Sequence, residues 1–274
     1  MHDLEDGLGA RPLRQLIRHA IRLRDDTEAA TIASMRFLLA PLLLLSSPVL
    51  AQAPVPGRTV SVGSFDRIRV EGPFEVHVTI GSPRATITGS RSDDGVTVRV
   101  DGTTLSVRKG AGGWGGQPRG GGTSGPIVVT LSTPGLTSAS VAAGGRLTIA
   151  KMRGMRVDVT VSGNGSLALA AADTDQLNAT VIGTGQMTLA GRAARARLVT
   201  SGPGAIDASG LAVNDLTVHL DGVGETKAAA RYTAQVTNSG LGTVTITGNA
   251  KCRVDAAAGG PVVCGKAGAG APAP

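Results

Sequence analysis

Hydrophobic and polar residues alternate through much of the second half of the chain. Between Val157 and Leu169 every second residue is apolar or glycine, and most of the residues in between are polar. The first set is Val157, Val159, Val161, Gly163, Gly165, Leu167 and Leu169, and the polar set is Asp158, Thr160, Ser162, Asn164 and Ser166. Because side chains alternate between the two faces of a strand, this pattern predicts β-strands with one buried face.

A Gly-x-Gly element recurs in this region at a nearly constant spacing. Its first glycines are 20, 19, 20 and 18 residues apart, and a degenerate copy lies at Ala143 to Gly145. The glycine pairs are Gly163 and Gly165, Gly183 and Gly185, Gly202 and Gly204, Gly222 and Gly224, and Gly240 and Gly242. A repeat of this length, with apolar residues at equivalent positions, predicts a solenoid in which each copy buries its face against its neighbours.

The period also indicates the kind of solenoid. At a rise of about 3.3 Å per residue, about 20 residues cannot include a long helix and still return to start a new coil. The sequence therefore predicts an all-β fold over residues 52–264, a single-stranded parallel β-helix with turns of about 20 residues. The paired glycines fall on the inward parity, where the coil is too narrow for a side chain or the strand bends sharply. A nucleotide-binding loop is excluded, because no helix pattern follows any copy.

Alternation also runs from Ser61 to Lys109, ahead of the repeats, with turns predicted at 81–83 and 101–102. Residues 110–125 contain nine glycines and are expected to form a flexible loop. Within this loop, Trp114 is a candidate contact for a sugar ring or a partner, or else it folds back onto the coil. Residues 265–274 are expected to form a disordered tail.

The N-terminal part has the order of charged, apolar and small residues that is typical of an export signal. An apolar run, FLLAPLLLL, follows Met35 and Arg36 and leads into small residues, which predicts a signal peptide over 35–51. The run is much shorter than the roughly 20 residues that a retained membrane anchor needs. Residues 1–34 form an upstream extension, interpreted as a mis-assigned start or as a basic amphipathic helix over 11–24 that lies on membranes.

The charge of the chain favours acidic partners. Its 274 residues include 27 Lys and Arg and 20 Asp and Glu, and removal of residues 1–51 leaves the net charge of +7 unchanged. Such a charge attracts acidic envelope glycans or anionic lipid headgroups, although a merely soluble basic surface fits equally well. Nucleic acid is not expected as a partner, because the aromatic residues are too few and too scattered to stack on bases.

The chain has two cysteines, Cys252 and Cys264, which lie 12 positions apart near the C-terminal end. In an oxidising compartment they are expected to form a disulfide that clamps the last coil. Two free thiols or a metal site are the alternatives.

Clustered side chains with catalytic chemistry are scarce. In adjacent repeats the acidic residues do not stack, and the richest group is His219, Asp221 and Glu225, which Asp207 of the preceding copy could approach. This group is a candidate binding, metal or acid–base site, or a solvated polar face. No catalytic residue, metal or cofactor is predicted. Hydroxyl residues do share registers, and these are Thr160, Thr180 and Thr237 and, in a second register, Ser162, Ser201 and Ser239.

Several motifs together resemble a known family. They are the stretch SFDRIRVEGPFEVHVTIGSPRATITG from Ser64 to Gly89, the following LSVRKG, and the repeats VSGNGSLAL and VIGTGQMTL. As a set they resemble the head GIN domain family of proposed autotransporter adhesins. The resemblance implies a right-handed parallel β-helix in the bacterial envelope and supplies no catalytic residues. The chain ends in a Gly, Ala and Pro tail where an autotransporter would have its membrane barrel.

These observations predict an exported, non-catalytic β-helix, in the periplasm, on the outer surface or secreted. Its expected role is that of an adhesin or envelope scaffold that binds a polysaccharide or a surface protein. One alternative is a small polysaccharide-degrading enzyme that uses His219, Asp221 and Glu225. Another is a self-assembly module that associates through its open ends.

Overall fold

The computed structural model describes residues 57–89, 96–110 and 127–265, and 72% of these residues lie in strands. The signal peptide over 35–51, the extension over 1–34, Trp114 with most of its loop, and the tail after residue 265 lie outside the described residues. The described part includes no helix of the length and hydrophobicity required to span a membrane.

Seventeen strands form one continuous sheet. The first nine are β1 (Arg58–Val60), β2 (Arg67–Glu71), β3 (Glu75–Ile80), β4 (Arg84–Thr88), β5 (Val96–Asp101), β6 (Thr104–Lys109), β7 (Val128–Thr133), β8 (Ser138–Ala142) and β9 (Arg146–Ile149). The remaining eight are β10 (Met152–Ser162), β11 (Ser166–Ile182), β12 (Gln186–Ser201), β13 (Ala205–Asp221), β14 (Glu225–Asn238), β15 (Thr243–Gly248), β16 (Lys251–Asp255) and β17 (Val262–Cys264).

The predicted parallel solenoid is confirmed for the repeat region. Strands β10 to β14 pair in parallel with their successors, and Val157, for example, lies beside Leu177 of the next coil. Strands β11, β12 and β13 each run from one Gly-x-Gly turn to the next and bend near their middle, where the pairing register shifts. Each coil therefore has a turn edge, formed by Gly-x-Gly, and a bend edge, formed by the register shift.

The N-terminal region departs from a simple succession of coils. The alternation from Ser61 to Lys109 precedes the Gly-x-Gly repeats in the sequence, but β2 and β3 do not stack in that order: they are a coil inserted among the later ones. This coil lies between β6 and β7 on one side and β8 and β9 on the other, with parallel pairing to both. The intervening strands cap the end: β4 pairs antiparallel with β1 and β7, and β5 pairs antiparallel with β6. The chain order of these coils is thus permuted.

A single aliphatic core runs along the inside of the coils. Its alternating pattern gives strands such as β8 and β15 an inward face of Ala, Val and Ile and an outward face that is mostly Ser and Thr. The few buried polar residues are hydrogen-bonded within the core. The hydroxyls of Thr200 and Thr226 lie 2.9 Å apart, and Thr133 donates to the carbonyl oxygen of Phe65.

The two glycines of each turn have different roles. The first has a positive φ in four of the five turns, from +75° at Gly163 to +117° at Gly222, and it is only half-buried or exposed. The second is buried, as at Gly185, where an added Cβ would lie 2.9 Å from the carbonyl oxygen of Gly165. The expectation that both glycines face inward is therefore correct only for the second of each pair. The positive φ of the first glycine turns the chain at that point, so this residue does not continue the alternation of the strand.

The last repeat turn uses a side chain in place of a left-handed residue. The Asn238 side-chain amide donates to the carbonyl oxygen of Gly242 at 2.8 Å, and the Gly240 amide donates to the Asn238 side-chain oxygen at 3.1 Å. Asn238 is fully buried. This buried amide bridges the turn from inside, and it occurs where the repeat spacing shortens to 18 residues.

The predicted disulfide between Cys252 and Cys264 is confirmed. It joins β16 to β17 across the last coil, and the two Cα atoms lie 6.5 Å apart. The bond therefore fastens the coil that has a stacked neighbour on only one side in the described part of the chain.

Candidate binding groove at the bend edge

The residues singled out from sequence lie on both sides of one Gly-x-Gly turn. His219 and Asp221 lie at the end of β13, where His219 is half-buried between Val199 and Thr237 of the adjacent coils. Glu225 begins β14, beyond the turn, and forms an ion pair of 2.8 Å with Lys227. No hydrogen bond or ion pair joins His219, Asp221 and Glu225 in the described structure.

Asp207 is also satisfied locally. Its carboxylate accepts hydrogen bonds from the hydroxyl of Ser209 at 2.6 Å and from the backbone amide of Ser209 at 3.0 Å. These bonds, together with the charge of Lys227, lower the pKa of Asp207. Within the described ranges, no three His, Cys, Asp or Glu side chains are grouped to hold a metal ion. A binding role for His219, Asp221 and Glu225 stays a prediction.

The hydroxyl registers form interrupted columns. Thr160 and Thr180 are direct neighbours, but Val199 and His219 separate them from Thr237. In the second register, Ile182 lies between Ser162 and Ser201. The outer sheet is therefore polar without a continuous hydroxyl ladder.

A groove of about 980 Å³ lies along the bend edge. Six stacked chain segments line it, and together they extend from β10 to the end of β15. The segments are 153–155, 173–175, 192–194, 212–214, 229–231 and 248–249. Since stacked strands lie about 4.8 Å apart, the groove extends for roughly 24 Å along the solenoid.

Small residues create this concavity. The register pairs one residue from each segment into a column at the floor of the groove. The column is Gly154, Thr174, Ala193, Val213, Ala230 and Gly248. None of these side chains is larger than valine, so the bend is not filled from outside. A chain of the width of a sugar or peptide could approach the backbone there.

An ion-pair ladder forms one wall of the groove at its β10 end. Asp173 lies between Arg153 and Arg192 in the cross-strand register. Arg192 Nε donates to Asp173 Oδ1 at 2.8 Å, and Arg153 Nε lies 3.6 Å from Asp173 Oδ2. The hydrogen bond from Arg192 lowers the pKa of the Asp173 carboxyl, and the nearby charges of Arg192, Arg153 and Lys151 add to this effect.

Replacing Arg192 with Gln is expected to raise the pKa of Asp173 towards its usual value. Arg153→Gln should raise it less, because Arg153 acts through charge alone. The lowered pKa means that these contacts stabilise the folded state above the usual aspartate pKa and that the stabilisation is lost as the pH falls through the lowered value. Carboxyl NMR titration of the wild type and both variants measures the shift. An equal shift in the two variants would contradict the assignment.

The opposite end of the groove is mostly uncharged. Ala212, Asn214, Ala229 and Arg231 line its walls, and Tyr232 stands beside it, with its ring centroid 6.0 Å from the guanidinium of Arg231. Tyr232 is 56% exposed. The groove therefore combines a charged half, an apolar floor and one exposed aromatic side chain near its end.

Sequence reasoning did not find this groove. The small floor residues follow the first glycine of each repeat by 11, 10, 11, 8 and 8 positions, so a search at one fixed register does not align them. The available signal was the run of Ala and Gly residues near the middle of each repeat. That signal becomes interpretable only when the position of the bend is known.

Comparisons with known proteins agree with this architecture. A putative adhesin from Bacteroides fragilis superposes with a TM-score of 0.66 and 20% identity, covering 77% of this chain and 96% of that chain. A putative adhesin from Parabacteroides merdae gives 0.56 and 16%, covering 77% and 93%. A putative lipid binding protein from Parabacteroides distasonis gives 0.55 and 15%, covering 77% and 96%. At such identities the likeness concerns the fold alone.

A search of curated proteins gives no match. The family comparison does, and its model covers both the permuted N-terminal coils and the regular repeats. Over residues 64–250, the chain matches the family described as putative auto-transporter adhesin, head GIN domain. The resemblance seen in the sequence motifs is thereby confirmed: this chain belongs to the head GIN domain family.

Proposed function

We propose that this chain is an exported, non-catalytic, adhesin-like solenoid that binds an extended surface polymer in the groove at its bend edge. The observation that carries the proposal is the groove itself, which is continuous past six stacked segments. A compact small molecule would occupy only part of such a length. A polymer lying along the solenoid would contact every segment, and many modest contacts would add to a useful affinity.

The volume and lining of the groove support binding. At about 980 Å³ it lies at the upper end of the range for ligand sites. Its floor is apolar and its walls supply a few polar groups, as is usual where a ligand must be both held and oriented. The floor residues Ala193, Val213 and Ala230 are buried and belong to the core, so the groove is shaped by the fold itself.

The electrostatics of the groove argue against hydrolytic chemistry. A glycosidase needs two facing carboxyl groups, one of which has a raised pKa so that it can protonate the leaving group. Asp173 has a lowered pKa and lies between two guanidinium groups, which suits a permanent charge. The other groove carboxylate, Asp175, is exposed to solvent.

Export is part of the proposal and has separate support. The pattern over residues 35–51 has the layout of a signal peptide. The Cys252–Cys264 disulfide belongs to an oxidising compartment, such as the periplasm or the exterior of a bacterium. Adhesin families act at such surfaces.

Blocking the groove tests the function. Ala212 is exposed in the groove wall between Arg192 and Ala229, and Ala212→Trp should fill the space above the floor. We expect the variant to bind polymer about tenfold more weakly than the wild type, because the added ring excludes the chain. The measurement is fluorescence anisotropy with fluorescein-labelled polygalacturonate and dextran.

Ala168→Trp is the matched control, since Ala168 faces outward from β11 before the bend and does not line the groove. Its affinity should equal that of the wild type. If both variants bind as the wild type does, the polymer lies elsewhere. If the wild type binds neither probe, the proposed function fails. If the polymer becomes shorter during the titration, the protein is an enzyme and the non-catalytic proposal is wrong.

A further inference from the structure

The net charge of the chain differs between the coils at the two ends of the groove. Residues 146–197 contain seven Lys and Arg and three Asp, whereas residues 198–265 contain four Lys and Arg and five Asp and Glu. The net charge is therefore +4 over residues 146–197 and −1 over residues 198–265. The charged residues that line the first half of the groove, Arg153, Arg192, Asp173 and Asp175, balance one another, so the excess positive charge there comes from residues beside the groove.

Three arginines of this region follow one another on β12. Arg192, Arg195 and Arg197 are all exposed. Arg192 lines the groove, and Arg195 and Arg197 follow Ala194, the last lining residue of β12, by one and three positions. Arg156 occupies the same column as Arg195 two coils away, with Gln176 between them. The guanidinium groups thus form an array on one side of the bend.

The arginines of this array differ in how far they are neutralised. Arg192 shares Asp173 with Arg153, and Arg156 forms an ion pair of 3.2 Å with Asp158. Arg195 and Arg197 make no ion pair with any residue that the structure describes.

The neighbours of these two arginines leave their donors available. In the cross-strand register, Arg197 lies between Asn178 and Thr217, which are uncharged. Arg195 lies between Gln176 and Asp215, and Asp215 accepts a hydrogen bond of 2.6 Å from Thr233. Their guanidinium groups are therefore free to bind an external anion.

We propose that Arg195 and Arg197, which lie beside the groove, recognise a carboxylated polysaccharide, whose acid groups bind these two arginines while the sugar chain lies over Ala193 and Ala212. This inference rests on the proposed function and names its ligand class. A guanidinium group offers a planar pair of donors that matches a carboxylate, and such charge-assisted bonds are stronger than neutral ones. The apolar floor accommodates the sugar faces between the acid groups.

The shape favours a polysaccharide over a bilayer or a nucleic acid. Arg195 and Arg197 border a concave groove, whereas a membrane surface requires a flat or convex basic face with apolar side chains beside it. The exposed aromatic residue near the groove, Tyr232, lies on β14, two strands from the arginines of β12, so the described residues offer a single ring and no base-stacking platform beside them.

The test compares two double variants that remove the same charge. Arg195→Gln with Arg197→Gln removes the free guanidinium groups, and Arg67→Gln with Arg69→Gln removes two exposed arginines of β2, which does not line the groove. We expect the first variant to bind fluorescein-labelled polygalacturonate roughly five- to tenfold more weakly, and the second to stay within about twofold of the wild type. Arg195→Lys with Arg197→Lys should give an intermediate loss of affinity, because lysine keeps the positive charge but lacks the planar pair of guanidinium donors.

Salt and a neutral probe complete the design. The wild type should bind polygalacturonate more tightly than dextran of equal length, and the preference should shrink when salt is raised. Circular dichroism of each variant confirms that the solenoid is folded before binding is compared.

Three outcomes would overturn the inference while leaving polymer binding intact. The first is equal affinity for dextran and polygalacturonate, and the second is an equal loss in both double glutamine variants, which would show a general charge effect. The third is tighter binding to phosphatidylglycerol vesicles that Ala212→Trp does not weaken. If neither polymer binds at all, the proposed function itself has failed.

Discussion

Gly224→Ala is expected to destabilise the solenoid by about 3 kcal/mol, close to the most that a single methyl group can cost. The added Cβ would overlap the carbonyl oxygen of Gly204 and lie 2.8 Å from that of Gly202 and 3.0 Å from Thr200 Cγ2. Two of these atoms belong to the backbone of the preceding turn, which cannot move without disturbing the coil stack. Urea denaturation followed by circular dichroism measures the loss of unfolding free energy.

Gly135→Ala is the control for this substitution. Gly135 lies in the connection between β7 and β8, and an added Cβ would have no heavy atom within 4 Å. Its effect should stay within about 0.5 kcal/mol. Equal stability of the Gly224→Ala variant and the wild type would show that the turn stack is looser than the structure has it.

Removing the disulfide by Cys252→Ser with Cys264→Ser is expected to lower the stability of the last coil by about 3 kcal/mol. The bond closes a loop of 12 positions, and its loss returns that freedom to the unfolded end of the chain. Coils interact mainly with their neighbours, so the loss should concentrate in β16 and β17. Hydrogen exchange should show faster exchange there and unchanged protection in β11 and β12.

Chemical reduction of the wild type is the matched comparison, because it breaks the same bond without changing any side chain. It should reproduce the exchange pattern of the double serine variant. Uniform loss of protection along the whole solenoid would contradict local clamping and would indicate that the last coil stabilises the entire array.

The repeat region could be predicted from sequence because each of its coils obeys the same two constraints. Alternating residues such as Val157 and Val159 must face the core, and a glycine such as Gly185 must fit against the turn before it. Both constraints recur every 18 to 20 residues, so period alone identifies the coil. Stacking then follows, because an isolated coil cannot bury its own apolar face.

The permuted N-terminal coils could not be predicted in this way. Strands β2 and β3 contain the same alternation as later coils, but their turn at Gly72 does not continue the Gly-x-Gly spacing. Alternation shows which face of a strand is buried and carries no information on its partner. Pairing of β2 with both β6 and β8 is decided by the whole assembly.

The candidate sites illustrate a related limit. His219, Asp221 and Glu225 share an outward parity, but the turn at Gly222 and Gly224 lies between the second and third of them and separates their segments. The groove could not be predicted for the opposite reason. Its floor residues are aligned in space, but the number of residues between each Gly-x-Gly turn and its floor residue varies along the sequence. Alternation tells which face of its own strand a residue occupies. A binding surface on a solenoid also depends on where each coil bends, which alternation does not show.

The position of the β2–β3 coil imposes an order on folding. Pairing Arg67 with Ser138 closes a loop of 71 residues, whereas pairing Val157 with Leu177 closes one of 20. Closing the longer loop costs about 1 kcal/mol more free energy, because more chain entropy is lost before stabilising contacts form. The central repeats, with their low contact order, are therefore expected to nucleate the fold. The first coil in the sequence is completed among the last, when the strands on both sides of it are in place.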